Sequence, residues 1–264
     1  AFTSCTNPAT FNGLSQGSHT LNVRARDAAG NVDASPATQT WIVDTIAPET
    51  SITSAPPAAS NSTSATFSFS SDDPAATFQC RLDGATLFTS CSNPVTFTGL
   101  SQGLRTLEVR ARDAAGNVDT TPATHTWSID TGAPETSIVS GPPLASNSTS
   151  ATFDFSSDDV TSTFECRLDN VGAFAACSDP ATFTNLSPGG HVLQVRARDS
   201  AGNADASPAT YSWTIDTTVP DTTIVSAPSA QSASTSATFD FTSDETGVSF
   251  ECRLDGAAGF TTCT

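Results

Sequence analysis

The sequence predicts an all-β protein: a row of like antiparallel β-sandwiches, extended along one axis. Three observations carry that prediction. The stretch Leu14 to Asp33 reappears as Leu100 to Asp119 and again as Leu186 to Asp205, at a period of about 86 residues with no insertion or deletion. A period of that size marks an array of like units. Within the middle copy Leu107, Val109 and Ala111 alternate with Thr106, Glu108, Arg110 and Arg112, the period-2 signature of a half-buried strand. No stretch shows helical periodicity, and Gly, Pro, Asn and Asp recur as breakers between short apolar runs, which favours sheet packed on sheet.

The repeat frame divides the chain into residues 1–47, the second half of a unit, two whole units at 48–133 and 134–219, and residues 220–264, the first half of another. The chain is therefore expected to be an internal piece of something longer. Recurring linkers mark the boundaries: Asp44 to Glu49, Asp130 to Glu135 and Asp216 to Asp221, each with a Pro before the second acid. Pro stiffens so short a tether, and neighbouring units are expected nearly end to end.

Seven strands are predicted in the unit from residue 48: 50–54, 65–70, 77–82, 88–91, 95–98, 106–112 and 124–129. The sixth is entered through Gly103 and left through Ala114 to Asn117, where a Gly-Asn pair is expected to supply the positive φ of a tight turn. Phe67, Phe69, Phe78, Leu82, Phe97, Leu107, Val109, Trp127 and Ile129 are the expected core. Thr66, Ser68 and Ser70 make one outer face a carpet of hydroxyls. The other sheet points Arg81, Glu108, Arg110 and Arg112 outward, where cross-strand ion pairs are individually weak.

Composition narrows the function. Ser and Thr make up roughly 30% of the 264 residues, and all ten basic residues are Arg. Without Lys, no Lys–Asn isopeptide staple can form. A net charge of −17 repels nucleic acid and anionic lipid, so neither is an expected partner, and cations are. No apolar run is long enough to cross a bilayer. No secretion signal is visible.

The seven cysteines fall on two repeating positions. Cys80–Cys91, Cys166–Cys177 and Cys252–Cys263 are each separated by 11 residues, with turn formers at Asp83-Gly84, Asp169-Asn170 and Asp255-Gly256 between them. They read as three disulfides, which implies folding in an oxidising compartment. The zinc alternative offers two thiols per unit with no nearby His, short of four ligands. Cys5 is left over, its expected partner lying before residue 1.

The segments LSQGLRTLEVRARDAAGNVD, THTWSID, DTGAPETSI and FQCRLDG resemble the tandem Ig-like and fibronectin-III-like repeats of large bacterial surface and secreted proteins, over the whole chain. The resemblance implies the fold and the repeat type and names no ligand. Two features depart from it. Thr20, Thr106 and Val192 stand where a fibronectin-type unit places its corner Tyr, and the cysteines lie on neighbouring strands of one hairpin, not across the two sheets.

Several acids are expected to meet at one pole of each unit, facing the preceding linker: Asp44, Glu49, Asp72, Asp73, Asp113 and Asp119 in one set, Asp130, Glu135, Asp158, Asp159, Asp199 and Asp205 in the next. Such a set could supply the six to eight oxygens that Ca²⁺ takes. In some related adhesin repeats similar loops and linker acids hold interdomain calcium, so the resemblance implies it here. The alternative is that Asp opens each turn and the remaining carboxylates are solvated; no EF-hand spacing is present. Asn61, Asn147 and Asn185 fit the N-glycosylation pattern, a match that chance readily produces in so Ser-rich a chain. His19 and His191 share a position with Arg105, and His125 shares one with Gln39 and Tyr211. They read as surface or strand-end residues, and Trp41, Trp127 and Trp213 as core. No cofactor motif or nucleophile–base set appears, so no enzyme is expected.

The expected function is structural: an extracellular or cell-surface repeat array forming a stalk, adhesin shaft or filament, its partners further copies of the repeat in the same chain or in a head-to-tail or lateral filament. The alternative is a spacer or carbohydrate-binding module of a secreted multidomain hydrolase.

Overall fold

A computed structural model describes residues 2–263. It divides into two compact units, one of Ala1–Thr136, Ser157–Thr163 and Arg196–Ser207, the other of Ser137–Ser156, Phe164–Val195 and Pro208–Thr264. Strands and turns are the regular structure throughout the described residues. The first strands are β1 (Gly17–Val23) and β2 (Ala37–Val43), an antiparallel pair.

The first complete sandwich follows: β3 (Thr50–Ser54), β4 (Ala59–Ser60), β5 (Ala65–Ser71), β6 (Thr77–Leu82), β7 (Thr89–Cys91), β8 (Val95–Phe97), β9 (Gly103–Arg112) and β10 (Ala123–Ile129). One sheet has the order β3-β5-β8 and the other β4-β10-β9-β6-β7, the two-sheet arrangement of immunoglobulin-type sandwiches. Seven of these strands are the expected ones. The eighth, β4, is two residues long and pairs in parallel with β10, too short to leave a periodic signal in the sequence.

The same order recurs in β11 (Thr136–Ser140), β12 (Ala145–Ser146), β13 (Ala151–Ser157), β14 (Thr163–Leu168), β15 (Ala175–Cys177), β16 (Ala181–Phe183), β17 (Gly189–Arg198) and β18 (Ala209–Ile215), paired as β11-β13-β16 and β12-β18-β17-β14-β15. Four strands remain: β19 (Thr222–Ser226) with β20 (Asp240–Ser243), and β21 (Glu251–Cys252) with β22 (Thr261–Thr262).

The core of the first sandwich is Ala65, Phe67, Phe69, Cys80, Leu107, Val109, Trp127 and Ile129, with Phe78, Leu82 and Phe97 half-buried against it. Alternation along β5 and β9 puts these side chains on the inner faces. The second core repeats it with Phe153, Phe155, Leu193, Val195, Trp213 and Ile215. Trp127 lies 5.1 Å from the Phe67 ring and Trp213 5.1 Å from Phe153, so both tryptophans fill cores as expected. The hydroxyl carpet is organised by cross-strand pairs, Thr66 with Thr96 at 2.9 Å and Thr152 with Thr182 at 3.0 Å.

The turn after β9 corrects one expectation. Gly116 has φ of 102°, but Asn117 is not among the positive-φ residues. Only the glycine supplies the left-handed backbone that a side chain resists; the asparagine is there for its side chain.

Candidate functional site

The loop Asp113-Ala-Ala-Gly-Asn-Val-Asp119 is built from its two acids inward. Asp113 Oδ1 accepts the N–H groups of Gly116 and Asn117 at 2.7 and 2.8 Å, and its Oδ2 accepts from Asn117 Nδ2 at 2.7 Å. These bonds, the Asn117 side chain's first, hold the Asp113 carboxyl below its ordinary pKa. The fixed Asn117 amide then donates to the carbonyl oxygen of Asp44, in the linker before the sandwich, at 3.1 Å. The second copy does the same, Asn203 Nδ2 reaching Asp130 O at 2.8 Å.

Linker and first strand are held from three further directions. Gln16 donates to Asp44 Oδ1 at 2.8 Å and accepts from Thr45 N–H at 2.9 Å; Gln102 donates to Asp130 Oδ1 at 3.2 Å and accepts from Thr131 Oγ1 at 3.1 Å. Asp72 and Asp158 each accept, at 2.8 Å, the main-chain N–H of Glu49 and Glu135. Asp205 Oδ2 accepts from Thr136 N–H at 2.9 Å, while Thr136 Oγ1 accepts from Ala197 N–H at 2.7 Å. In the first sandwich Asp119 Oδ2 is buried without a hydrogen bond of normal geometry, close by Thr50. Burial pushes Asp119 and Asp205 up, but the groups of Thr50 and Thr121, or Thr136 and Ser207, more than offset it and both pKa values fall.

The aspartates expected at one pole therefore each accept at least one hydrogen bond. Asp73 caps Ala75 N–H and Asp159 caps Thr161 N–H, at 2.8 and 2.9 Å, and Asp199 holds Asn203 as Asp113 holds Asn117. Glu49 and Glu135 contribute their N–H groups. Among the described residues no three His, Cys, Asp or Glu side chains come together in the manner of a metal site.

The three expected disulfides are formed: Cys80–Cys91, Cys166–Cys177 and Cys252–Cys263. Each joins neighbouring strands of one hairpin, with Cys80 opposite Thr89 and Cys91 opposite Phe78 in the first. Beside it the guanidinium of Arg81 pairs with Glu108 through two bonds of 2.7 and 2.6 Å. The Phe88 ring packs against both Arg81 and Arg110, at 4.5 and 4.2 Å. The outward ion pair was legible in the sequence; the aromatic plate was not.

Asn61 and Asn147 are exposed, each directly after a two-residue strand. Asn185 has φ of 57° at the place where Gly13 and Gly99 have φ of 68° and 67°, so its side chain type is explained by tolerance of the left-handed region. His191 corrects the surface reading. It is buried at 7% exposure, with Nδ1 2.8 Å from Asp169 Oδ2 and Nε2 2.7 Å from Ser187 O. Arg105 bridges the equivalent Asp83 and Ser101, a shared role that the aligned positions could have shown. His125 Nε2 and the Tyr211 hydroxyl likewise reach the carbonyls of Pro56 and Pro142.

No protein-family model matches this chain, and no curated protein does. Among solved structures it is similar to fibronectin(III)-like modules of Clostridium thermocellum CbhA, at 14% identity and TM-score 0.43, over 63% of this chain and 94% of that one. It is also similar to a Ca²⁺-stabilized adhesin that helps an Antarctic bacterium bind ice, at 17% identity and TM-score 0.36, over 81% and 60% of the two chains. A third likeness is to the FN1-FN3 domains of chicken CNTN1, at 11% identity and TM-score 0.43, over 75% and 76%. All three are loose likenesses and transfer no function.

Proposed function

We propose that this chain is a non-enzymatic spacer, a stretch of an extracellular stalk, adhesin shaft or filament in which residues 48–133 and 134–219 are two successive repeats. The observation that carries the reading is the twice-made bond from a loop asparagine to the carbonyl of the preceding linker, Asn117 to Asp44 and Asn203 to Asp130. A motif that exists to hold its own linker serves a protein whose job is to keep repeats at a set spacing. Disulfides within single hairpins support an oxidising, extracellular setting. We read the acidic pole as a hydrogen-bonded junction in which N–H donors occupy the carboxylates, with calcium as an optional addition.

Small-angle scattering on chains with one, two and three added copies of residues 48–133 tests the reading. A fixed gain in maximum dimension per copy is the expected result. Growth as a compact globule overturns it.

A further inference from the structure

We infer that Asn61 and Asn147 are modification sites, each carrying an N-linked oligosaccharide, and that Asn185, which fits the same sequence pattern, is not. The pattern needs an amide and, two residues on, a hydroxyl, and both must be free of the fold's own bonding to reach a transferring enzyme. Asn61 and Thr63 are exposed, as are Asn147 and Thr149. Among the described residues neither these amides nor these hydroxyls have a hydrogen-bond partner.

The loop does not need the asparagine. After β4 the Ser62 N–H donates to Ser60 Oγ at 3.1 Å, and Ser62 Oγ donates to Ser64 O at 2.9 Å and accepts the Ser64 N–H at 3.1 Å. The loop after β12 makes the same three bonds with Ser146, Ser148 and Ser150. So do residues 232–236, at 3.0, 2.9 and 3.1 Å, although Ala233 stands where the other two copies have asparagine. Asn in a turn ordinarily bonds to nearby backbone. Here it bonds to nothing in two copies, and the loop keeps its shape in a third copy without it, so the sequence pattern is the remaining account of its presence.

Asn185 differs at each point. It takes the left-handed φ of 57°, which already explains its residue type. Leu186 beside it is 9% exposed and belongs to the second core, and the Ser187 carbonyl is held by His191 Nε2 at 2.7 Å. Lifting Asn185 to an enzyme would pull a core residue with it. The other two sites lie beside linkers: Ser60 O and Ser146 O accept the N–H groups of Asp130 and Asp216 at 3.0 and 2.9 Å, so each glycan is rooted one residue from that contact. Gly202, beside the Asn61 amide, has no side chain to crowd it; a Cβ there would stand 3.8 Å from Nδ2. The co-reactant is a sugar diphosphate, lipid-linked in the oxidising compartment that the disulfides imply. The bond from Asn Nδ2 to the sugar C1 forms as the bond from C1 to the diphosphate oxygen breaks; diphosphate leaves with the electron pair and the amide gives up one proton.

The test incubates the folded, disulfide-intact chain with a purified oligosaccharyltransferase and a lipid diphosphate-linked oligosaccharide, and counts additions by intact mass. Two additions are expected, with N61Q and N147Q each removing one and N185Q removing none. Peptide mapping of the chain from its native source, after an amidase that converts each glycosylated Asn to Asp, should find the conversion at 61 and 147. Three results overturn the proposal: no addition to the folded chain under conditions that modify a free peptide of residues 59–65, addition at Asn185 as fast as at Asn61, or an unmodified Asn61 in the native material.

Discussion

The imidazole of His191 faces an acceptor at each nitrogen, a carboxylate oxygen of Asp169 and the carbonyl of Ser187. A neutral ring can donate from only one nitrogen, so the site selects the doubly protonated cation and thereby imitates Arg105. The hydrogen bond to Ser187, then that to Asp169, raises the His191 pKa against the opposing effect of burial. The folded value lies above the unfolded one of about 6.5, so the stabilisation is fully present below that pH and is lost as pH rises through the folded value. Thermal melts between pH 5 and 9 should therefore show the second sandwich softening on the alkaline side in the unaltered chain, and His191→Arg should flatten that slope. The carboxylates run the other way. Asp113 and Asp159 are held low by Asn117 and Thr161 respectively, so their contribution is present above the ordinary carboxylate pKa and disappears on acidification. Asn117→Ala removes the side-chain bonds to Asp113 Oδ2 and to Asp44 O and should cost about 2 kcal/mol, at about 1 kcal/mol net for each. It should also speed amide exchange in the linker at residues 44–47, because the Asp44 carbonyl loses its donor.

A hairpin closed by a local disulfide carries a calculable constraint. Bridging Cys80 to Cys91 over a separation of 11 residues stabilises by roughly 3 kcal/mol on the chain-entropy account. Cys91→Ser together with Cys80→Ala should lower the melting temperature of that sandwich, and reductant should do the same to the unaltered chain while leaving the doubly substituted repeat unmoved. The hairpins also show which elements a sequence declares. Strands β5, β9 and β10 bury one face, so alternation exposed them; β4 makes only two pairings, Ser128 with Ala59 and Ile129 with Ser60, and has no period to read. Cysteine spacing was legible because it repeats. The role of Asn117 was not, because in sequence it sits beside Gly116 and looks like a turn former, and only its contact with a carbonyl 73 positions away separates the two roles. The acids were legible because they too recur with the repeat; their hydrogen bonds were not, because counting carboxylates does not show which N–H donors point at them.

Along the whole chain the repeats are alike but their linkers are not. Gln16 and Gln102 each tie the Asp and Thr that open the following linker, and at the third copy that position is Pro188. Proline has no side-chain donor or acceptor, so Asp216 and Thr217 go without the clamp, and what remains is the bond that all three linkers share, from the N–H two residues on to the linker aspartate: Ile46 to Asp44, Gly132 to Asp130 and Thr218 to Asp216. The consequence is a graded array, in which the linker at residues 216–220 is the least restrained of the three. Amide exchange measured along the chain should then be faster at Thr217 than at Thr45, whose N–H is held by Gln16 at 2.9 Å. The substitution Pro188→Gln should slow exchange at Thr217 toward the Thr45 rate without changing the melting temperature of either complete sandwich, since residue 188 lies outside both cores. Equal exchange at Thr45 and Thr217 in the unaltered chain would mean that the glutamine does not restrain the linker and that Pro alone sets its stiffness.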